Sequence, residues 1–270
     1  MHDLPGLPES IARMLAVTAP QQPHRVHTTD GGHLLVEVPL DRSSVDLGGV
    51  WRRFLDSRAE TGFHPVLSTP AASATGPVLP EREPTRLLSR AEYEETVGQL
   101  VAGSWRHQAG LYNPELDEEP LEEFLADLDE ERLALELRSD DAVAAEGTPR
   151  QADRAGRLLL VEASSPHELF VRFPGLAPRG FADGYEDGDR EMTARHHQAV
   201  LSSWYDRFGA EPYYVDADSL ELWVPRPPLS AAEAARVAIE QYAYDFDLVG
   251  DTQLAGDGQV RSTHWNFWWD

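Results

Sequence analysis

No cysteine occurs among the 270 residues. Disulfides, thiolate nucleophiles, Cys-ligated zinc and iron–sulfur clusters are thereby excluded together. Lysine is missing too, so all 23 basic residues are arginine. That removes Schiff-base chemistry and the P-loop lysine that reaches a nucleoside triphosphate. Asparagine is confined to Asn113 and Asn266, and isoleucine to Ile11 and Ile239. The depleted residues have AT-rich codons, a bias expected of a GC-rich genome; adaptation to high salt, which also favours acid over lysine, is the sharper alternative. No apolar run approaches the roughly 18–20 residues needed to span a bilayer. Met1-His2-Asp3-Leu4-Pro5-Gly6 lacks the basic and apolar regions of a secretory signal, so a cytoplasmic protein is the expectation.

What is present suffices for a folded core: 41% apolar residues, including seven tryptophans. The net charge of −24 disfavours nucleic acid and anionic membranes as partners, because both need a basic surface. It steers basic proteins toward the chain, and it also serves plain solubility.

Periodicity places a strand at Leu34–Val38, a helix at Val50–Ala59 and a strand at Phe63–Leu67, a small βαβ beginning. Residues 68–84 read as a loop. Ser89-Arg90-Ala91-Glu92 is a capping box opening a helix to about Arg106. The segment Glu115–Glu131 holds ten carboxylates; its second half has Leu121, Phe124, Leu125 and Leu128 at helical spacing, hence an amphipathic helix with an acidic face. Residues 138–156 lose all periodicity and mark a boundary between two halves, 1–152 and 153–270.

The second half opens with a strand at Leu158–Val161 and a helix start at Ser164-Ser165-Pro166. Its Leu159-Leu160-Val161-Glu162 repeats Leu34-Leu35-Val36-Glu37, which is too short to mean duplication. A loop of Gly and Asp, 181–189, precedes a helix over 190–208 that Gly209 terminates in the left-handed region. A hairpin follows, Glu211–Val215 and Ser219–Val224, stopped by Pro225. Ser230-Ala231-Ala232-Glu233 caps a helix to about Tyr244. The closing strand alternates Trp265, Phe267 and Trp269 with His264, Asn266 and Trp268, and its aromatic content on both faces predicts a central position. The fold class is α/β (α+β): a two-layer unit with helices on a short mixed sheet, preceded by a smaller α/β half.

The helix Ala199-Val200-Leu201-Ser202-Ser203-Trp204-Tyr205-Asp206-Arg207-Phe208 with Gly209-Ala210-Glu211, the Ala/Glu-rich helix through Glu240, and Phe267-Trp268-Trp269-Asp270 carry a family likeness. Over about residues 196–270 the chain resembles domain of unknown function 4253, an uncharacterised actinobacterial family. The resemblance implies a GC-rich source and no established activity. Where members often have Cys-Pro-Asp, this chain has Asp245-Phe246-Asp247, so a function needing that cysteine is not expected here.

Candidate sites are few. His24, His27 and Asp30 are loosely spaced and read as chance; adjacent His196 and His197 point about 100° apart on a helix and cannot share an ion. Asp245, Asp247 and Gly250 start a calcium-loop pattern that fails at Val249 and Gly256. The acidic loop 183–191 reads as surface. No metal site and no cofactor are expected. There is no Gly-x-Ser-x-Gly elbow and no phosphate-cradling glycine loop. Glu240, among Val237, Ala238 and Ile239, is the foremost carboxylate for acid–base work, with His264 as its candidate neighbour; an exposed or Arg-paired Glu240 is the plainer alternative. Trp268 and Asp270 are the candidate binding residues at the terminus, against ordinary core packing.

Two functions are therefore carried forward. One is a non-enzymatic interaction protein with an acidic surface for a basic protein partner, an immunity or antitoxin protein being one concrete form. The other is a cysteine- and lysine-independent hydrolase using Glu240 and His264.

Overall fold

A computed structural model describes residues 7–18, 24–29, 31–40, 46–69, 86–115, 120–138, 143–151, 154–179, 192–245 and 251–269. Asp30, Asp247, Gly250, Asp270, the loop 181–189 and most of 68–84 lie outside the described residues.

Among the described residues seven strands form one mixed sheet. In chain order they are β1 (Arg25–Thr28), β2 (Leu34–Pro39), β3 (Phe63–Ser68), β4 (Arg157–Glu162), β5 (Glu211–Val215), β6 (Ser219–Trp223) and β7 (His264–Trp268). The spatial order is β1-β2-β4-β3-β5-β6-β7. β4 pairs antiparallel with both β2 and β3, so those two strands run parallel with β4 inserted between them. The expected βαβ beginning is thus split open by a strand from the second half. The two Leu-Leu-Val-Glu segments are direct neighbours, with Leu35 opposite Val161 and Val36 opposite Leu160. Strands buried on both faces need apolar residues without alternation, which is why both read as continuous apolar runs.

The helices are α1 (Glu9–Thr18), α2 (Leu47–Asp56), α3 (Arg58–Thr61), α4 (Arg90–Leu111), α5 (Leu121–Phe124), α6 (Glu130–Glu136), α7 (Leu169–Arg172), α8 (Ala194–Phe208), α9 (Ala231–Tyr244) and α10 (Thr252–Asp257). The larger core lies under α8 and α9, and α4, α6 and α10 pack on these in turn. A smaller core on the opposite sheet face gathers Ile11 and Leu15 of α1, Trp51 and Phe54 of α2, and Phe63, Leu158 and Leu160 from the strands. The expected capping box at Ser89 is formed, Ser230 accepts the Glu233 amide at 3.3 Å, an unexpected box joins Thr193 and His196 before α8, and Gly209 ends α8 at φ 70°. Apart from β1 and several single-turn helices, the elements follow the apolar periodicity.

The closing strand departs from expectation. β7 is an edge strand, not a central one. Its aromatic burial is one-sided: Trp265, Phe267 and Trp269 are buried, while Trp268 on the other face is exposed. Asp245 Oδ2 accepts the outward amide of Trp268 at 2.7 Å, and Gln259 Oε1 accepts that of Asn266 at 3.1 Å. These side chains stand where a further strand would have paired, and they blunt the edge.

On the core face, Trp265, Phe267 and Trp269 are fully buried. Trp204 of α8 stacks on Phe267 with centroids 5.3 Å apart and meets Trp265 and Tyr244 edge-on at 5.2 and 5.3 Å. Such pairs contribute about 0.5–1.5 kcal/mol each beyond area burial. The buried indoles find acceptors: Trp204 on Glu240, Trp265 on the Val260 carbonyl, Trp269 on the Tyr244 carbonyl.

His197 completes this cluster. Its Nε2 donates to the Pro178 carbonyl at 3.1 Å, which leaves Nδ1 to accept the Tyr244 hydroxyl at 2.6 Å. Burial, and secondarily the neighbouring His196, lower its pKa to about 3. The folded pKa lies below the unfolded value, so the stabilisation is full above about pH 6.5 and is lost as pH falls toward 3. Urea unfolding between pH 6 and 4 is expected to show a loss of about 1.4 kcal/mol per pH unit from this residue. His197→Gln should flatten that slope by the same amount; an unchanged slope would contradict the neutral assignment.

Candidate functional site

Glu240 projects from α9 toward α8. Its Oε1 and Oε2 accept from Arg207 Nη1 at 2.7 and 2.8 Å, and Oε2 also accepts the Trp204 indole N–H at 2.8 Å. Both oxygens are engaged, so the carboxylate clamps two helices. His264 projects from the other face of β7, where the Tyr213 ring lies edge-on 4.9 Å away. The two residues expected as an acid–base pair lie on opposite faces of the sheet and do not converge. Trp268 is 40% exposed on the same face as His264; Asp270 is outside the described residues.

The weaker metal candidates have structural duties. His27 faces Glu37 at 3.4 Å, His196 completes the cap of α8, and buried Asp245 anchors β7. Among the described residues no group of three or more histidine, aspartate or glutamate side chains could hold a metal ion.

Sequence spacing missed a second group of titratable side chains. An open cleft of about 360 Å³ is lined by Tyr205, Asp206, Gly209, Glu211, Trp223, Pro225 and Arg226. In its wall Glu211 accepts from Arg58 Nη1 at 2.9 and 2.8 Å and from His64 Nε2 at 2.8 Å. Arg58 also reaches the Tyr205 hydroxyl at 3.2 Å. The Tyr93 hydroxyl donates to Asp206, and burial, reinforced by that carboxylate, pushes its pKa up to about 12. Nearby His167 is held below its ordinary pKa by burial, against the pull of Glu168. These residues come from α3, β3, α4, α8 and β5, and only the folded chain gathers them. Each carboxylate here already has a donor, and the cleft presents no nucleophile–base pair. It can seat a polar group on its surface, but it does not surround one.

A third arrangement is broader. α5, the turn 126–128, α6 and the start of α10 present Glu122, Glu123, Asp127, Glu130, Glu131, Glu136 and Asp251. The nearby arginines are paired: Arg132 with Glu123 and Glu136, Arg236 with Glu130, Arg138 with Asp257. The carboxylates outnumber these cations. Asp127 registers the excess: burial first, then the charges of Asp251 and Glu136, raise its pKa. Within this field Leu135 of α6 is 88% exposed and Leu254 of α10 is 73% exposed. The two helices touch, with Gln253 Nε2 donating to the Glu136 carbonyl. The amphipathic reading of 115–131 identified the acid but not the leucines that stand out from it.

Residues 158–270, the C-terminal region, match the family model described as Domain of unknown function (DUF4253). No curated protein and no solved structure matches the chain.

The clamp at Glu240 yields a direct test. Glu240→Gln removes the charge that Arg207 and Trp204 share, and is expected to cost about 2–3 kcal/mol in urea unfolding, below a fully buried pair because Arg207 keeps some solvent. A loss under about 0.5 kcal/mol, the range of ordinary surface substitutions, would refute the clamp.

Proposed function

We propose that the protein is a non-enzymatic interaction protein whose acidic face on α5, α6 and α10 binds a basic protein partner. The observation that carries this reading is the exposure of Leu135 and Leu254 on touching helices inside a field of carboxylates. Exposed charge alone serves solubility. Large exposed leucines set among charges of one sign cost solubility and supply what a binding surface needs, apolar anchors within a charged rim. The uncompensated negative charge accelerates encounter with a cationic surface and disfavours acidic competitors. Glu131 and Leu135 are four residues apart on α6 and share one helix face. That pairing suits a basic amphipathic surface. An immunity or antitoxin protein facing a basic toxin is the concrete form of this proposal.

The hydrolase alternative gains no support from the geometry, since Glu240 is spent on Arg207 and Trp204 and His264 lies across the sheet.

Co-purification of the tagged chain from its native host tests the proposal. The expected result is a stoichiometric basic protein whose retention weakens as salt rises. Leu135→Ser with Leu254→Ser should reduce affinity for that partner roughly tenfold or more. Thermal melting should hardly change, because both side chains are exposed. Recovery of a lone monomer, or a partner indifferent to both substitutions and to salt, would overturn the proposal.

A further inference from the structure

The β6–β7 register sets Glu221 directly opposite Asn266 and Trp223 opposite His264. Glu221, Asn266 and His264 therefore share one patch on the sheet face that looks away from the aromatic core. Segment 143–151 crosses over this patch. Ala145 bridges to Ser262, and the Arg150 and Gln151 amides donate to Glu221 Oε1 at 2.8 and 2.5 Å. The crossing is tight at Gly147: a Cβ there would lie 2.6 Å from His264 Cβ and 2.8 Å from its backbone nitrogen. Beneath the crossing Glu221 is 1% and His264 5% exposed.

Three atoms in this patch are buried and have no hydrogen-bond partner among the described residues: Glu221 Oε2, His264 Nε2 and Asn266 Oδ1. Glu221 Oε2 and His264 Nε2 are 3.7 Å apart, too far for a hydrogen bond. Buried polar atoms in folded proteins almost always find partners, and a buried carboxylate oxygen without one is costly. A carboxylate oxygen, an amide oxygen and an imidazole nitrogen are all metal-ligating atoms.

We propose that Glu221 Oε2, His264 Nε2 and Asn266 Oδ1 form a site for a divalent first-row transition-metal ion, with Zn²⁺ as the best-matched cation. Zinc takes imidazole nitrogen and carboxylate oxygen at roughly 2.0–2.1 Å. An ion at about 2.1 Å from both atoms of the 3.7 Å pair subtends about 125°, within reach of four-coordinate geometry. Asn266 supplies a third donor, and water a fourth. The two amides on Glu221 Oε1 fix the carboxylate from outside, the usual duty of outer-shell partners. Imidazole favours zinc, copper, nickel or iron over magnesium and calcium. The ion offsets the buried carboxylate charge and ties segment 143–151 to the β6–β7 edge.

The experiment uses the full chain, stripped with chelator. It is titrated with Zn²⁺ by calorimetry and with Co²⁺ by visible absorption. One equivalent is expected to bind. Glu221→Gln and His264→Gln should each weaken binding roughly tenfold or more, while His27→Gln, remote on β1, should not. Asn266→Asp, at a half-buried position, should tighten binding by adding a carboxylate, an effect that a merely structural residue would not produce. Should the buried substitutions fail to fold, X-ray absorption on the zinc-loaded wild type decides: a shell of oxygen with one imidazole supports the site, and a multi-histidine shell overturns it. No saturable uptake by the wild type, or uptake unchanged by Asn266→Asp and by either buried substitution, also overturns it.

Discussion

The contact on which the second half of the sheet depends is that of Trp204 with the closing strand. Its ring stacks on Phe267, meets Trp265 and Tyr244 edge-on, and hands its N–H to Glu240. One side chain of α8 thereby fixes β7, α9 and the Arg207 clamp at once. Among the described residues β7 has a strand neighbour on one side, so strand pairing alone cannot hold it. The aromatic face supplies the attachment that a second ladder would otherwise provide, and the indole hydrogen bonds set its depth and register.

Attaching an edge strand in this way leaves its outward amides to be satisfied, and acidic and amide side chains do so. Asp245 and Gln259 cap the outer amides, while segment 143–151 covers the opposite face. The first residue of the Asp-Phe-Asp sequence at 245–247 thus has a structural explanation, since Asp245 is wholly buried against β7. The position does not require a thiol. It requires an acceptor for the Trp268 amide.

Most of the element pattern was legible because it follows from burial alone: alternation for β5 and β6, 3.6-residue spacing for α4, α8 and α9, caps at Ser89 and Ser230, a left-handed Gly209. Pairing order was not legible. Nothing in Leu158–Val161 says that it inserts between β2 and β3, because a strand apolar on both faces fits any interior position. β7 misled for a different reason: its aromatics are buried on one face only, with Trp268 40% exposed on the other, and a one-faced aromatic stripe fits an edge strand. The site residues were hidden more thoroughly. Glu211, Arg58 and His64 are 147 or more positions apart from one partner or another, and only the β3–β5 parallel pairing brings them together. An arginine partner for Glu240 was legible as the plainer reading, but not which arginine, because Arg207 lies 33 residues away on another helix. Glu221 and Asn266 depend on the cross-strand register of two strands separated by α9 and α10.

The arginine-only composition explains how an acidic chain becomes more acidic at its surface than its total suggests. With 23 cations against 47 carboxylates, every arginine drawn inward raises the imbalance outside unless an acid goes with it. Arg157, Arg261, Arg58, Arg172 and Arg207 are largely buried beside Glu37, Asp257, Glu211, Glu168 and Glu240. Guanidinium suits these places because it is planar, always charged and able to hold both oxygens of a carboxylate, which lysine cannot do. Each such pair removes one charge of either sign from the surface. The surface difference in number is thereby preserved while the pool of exposed cations shrinks, so the ratio of exposed acid to exposed base rises. On α6 and α10 the remaining cations are already committed, and Asp127, burdened by its acidic neighbours, shows that the local field is not neutralised.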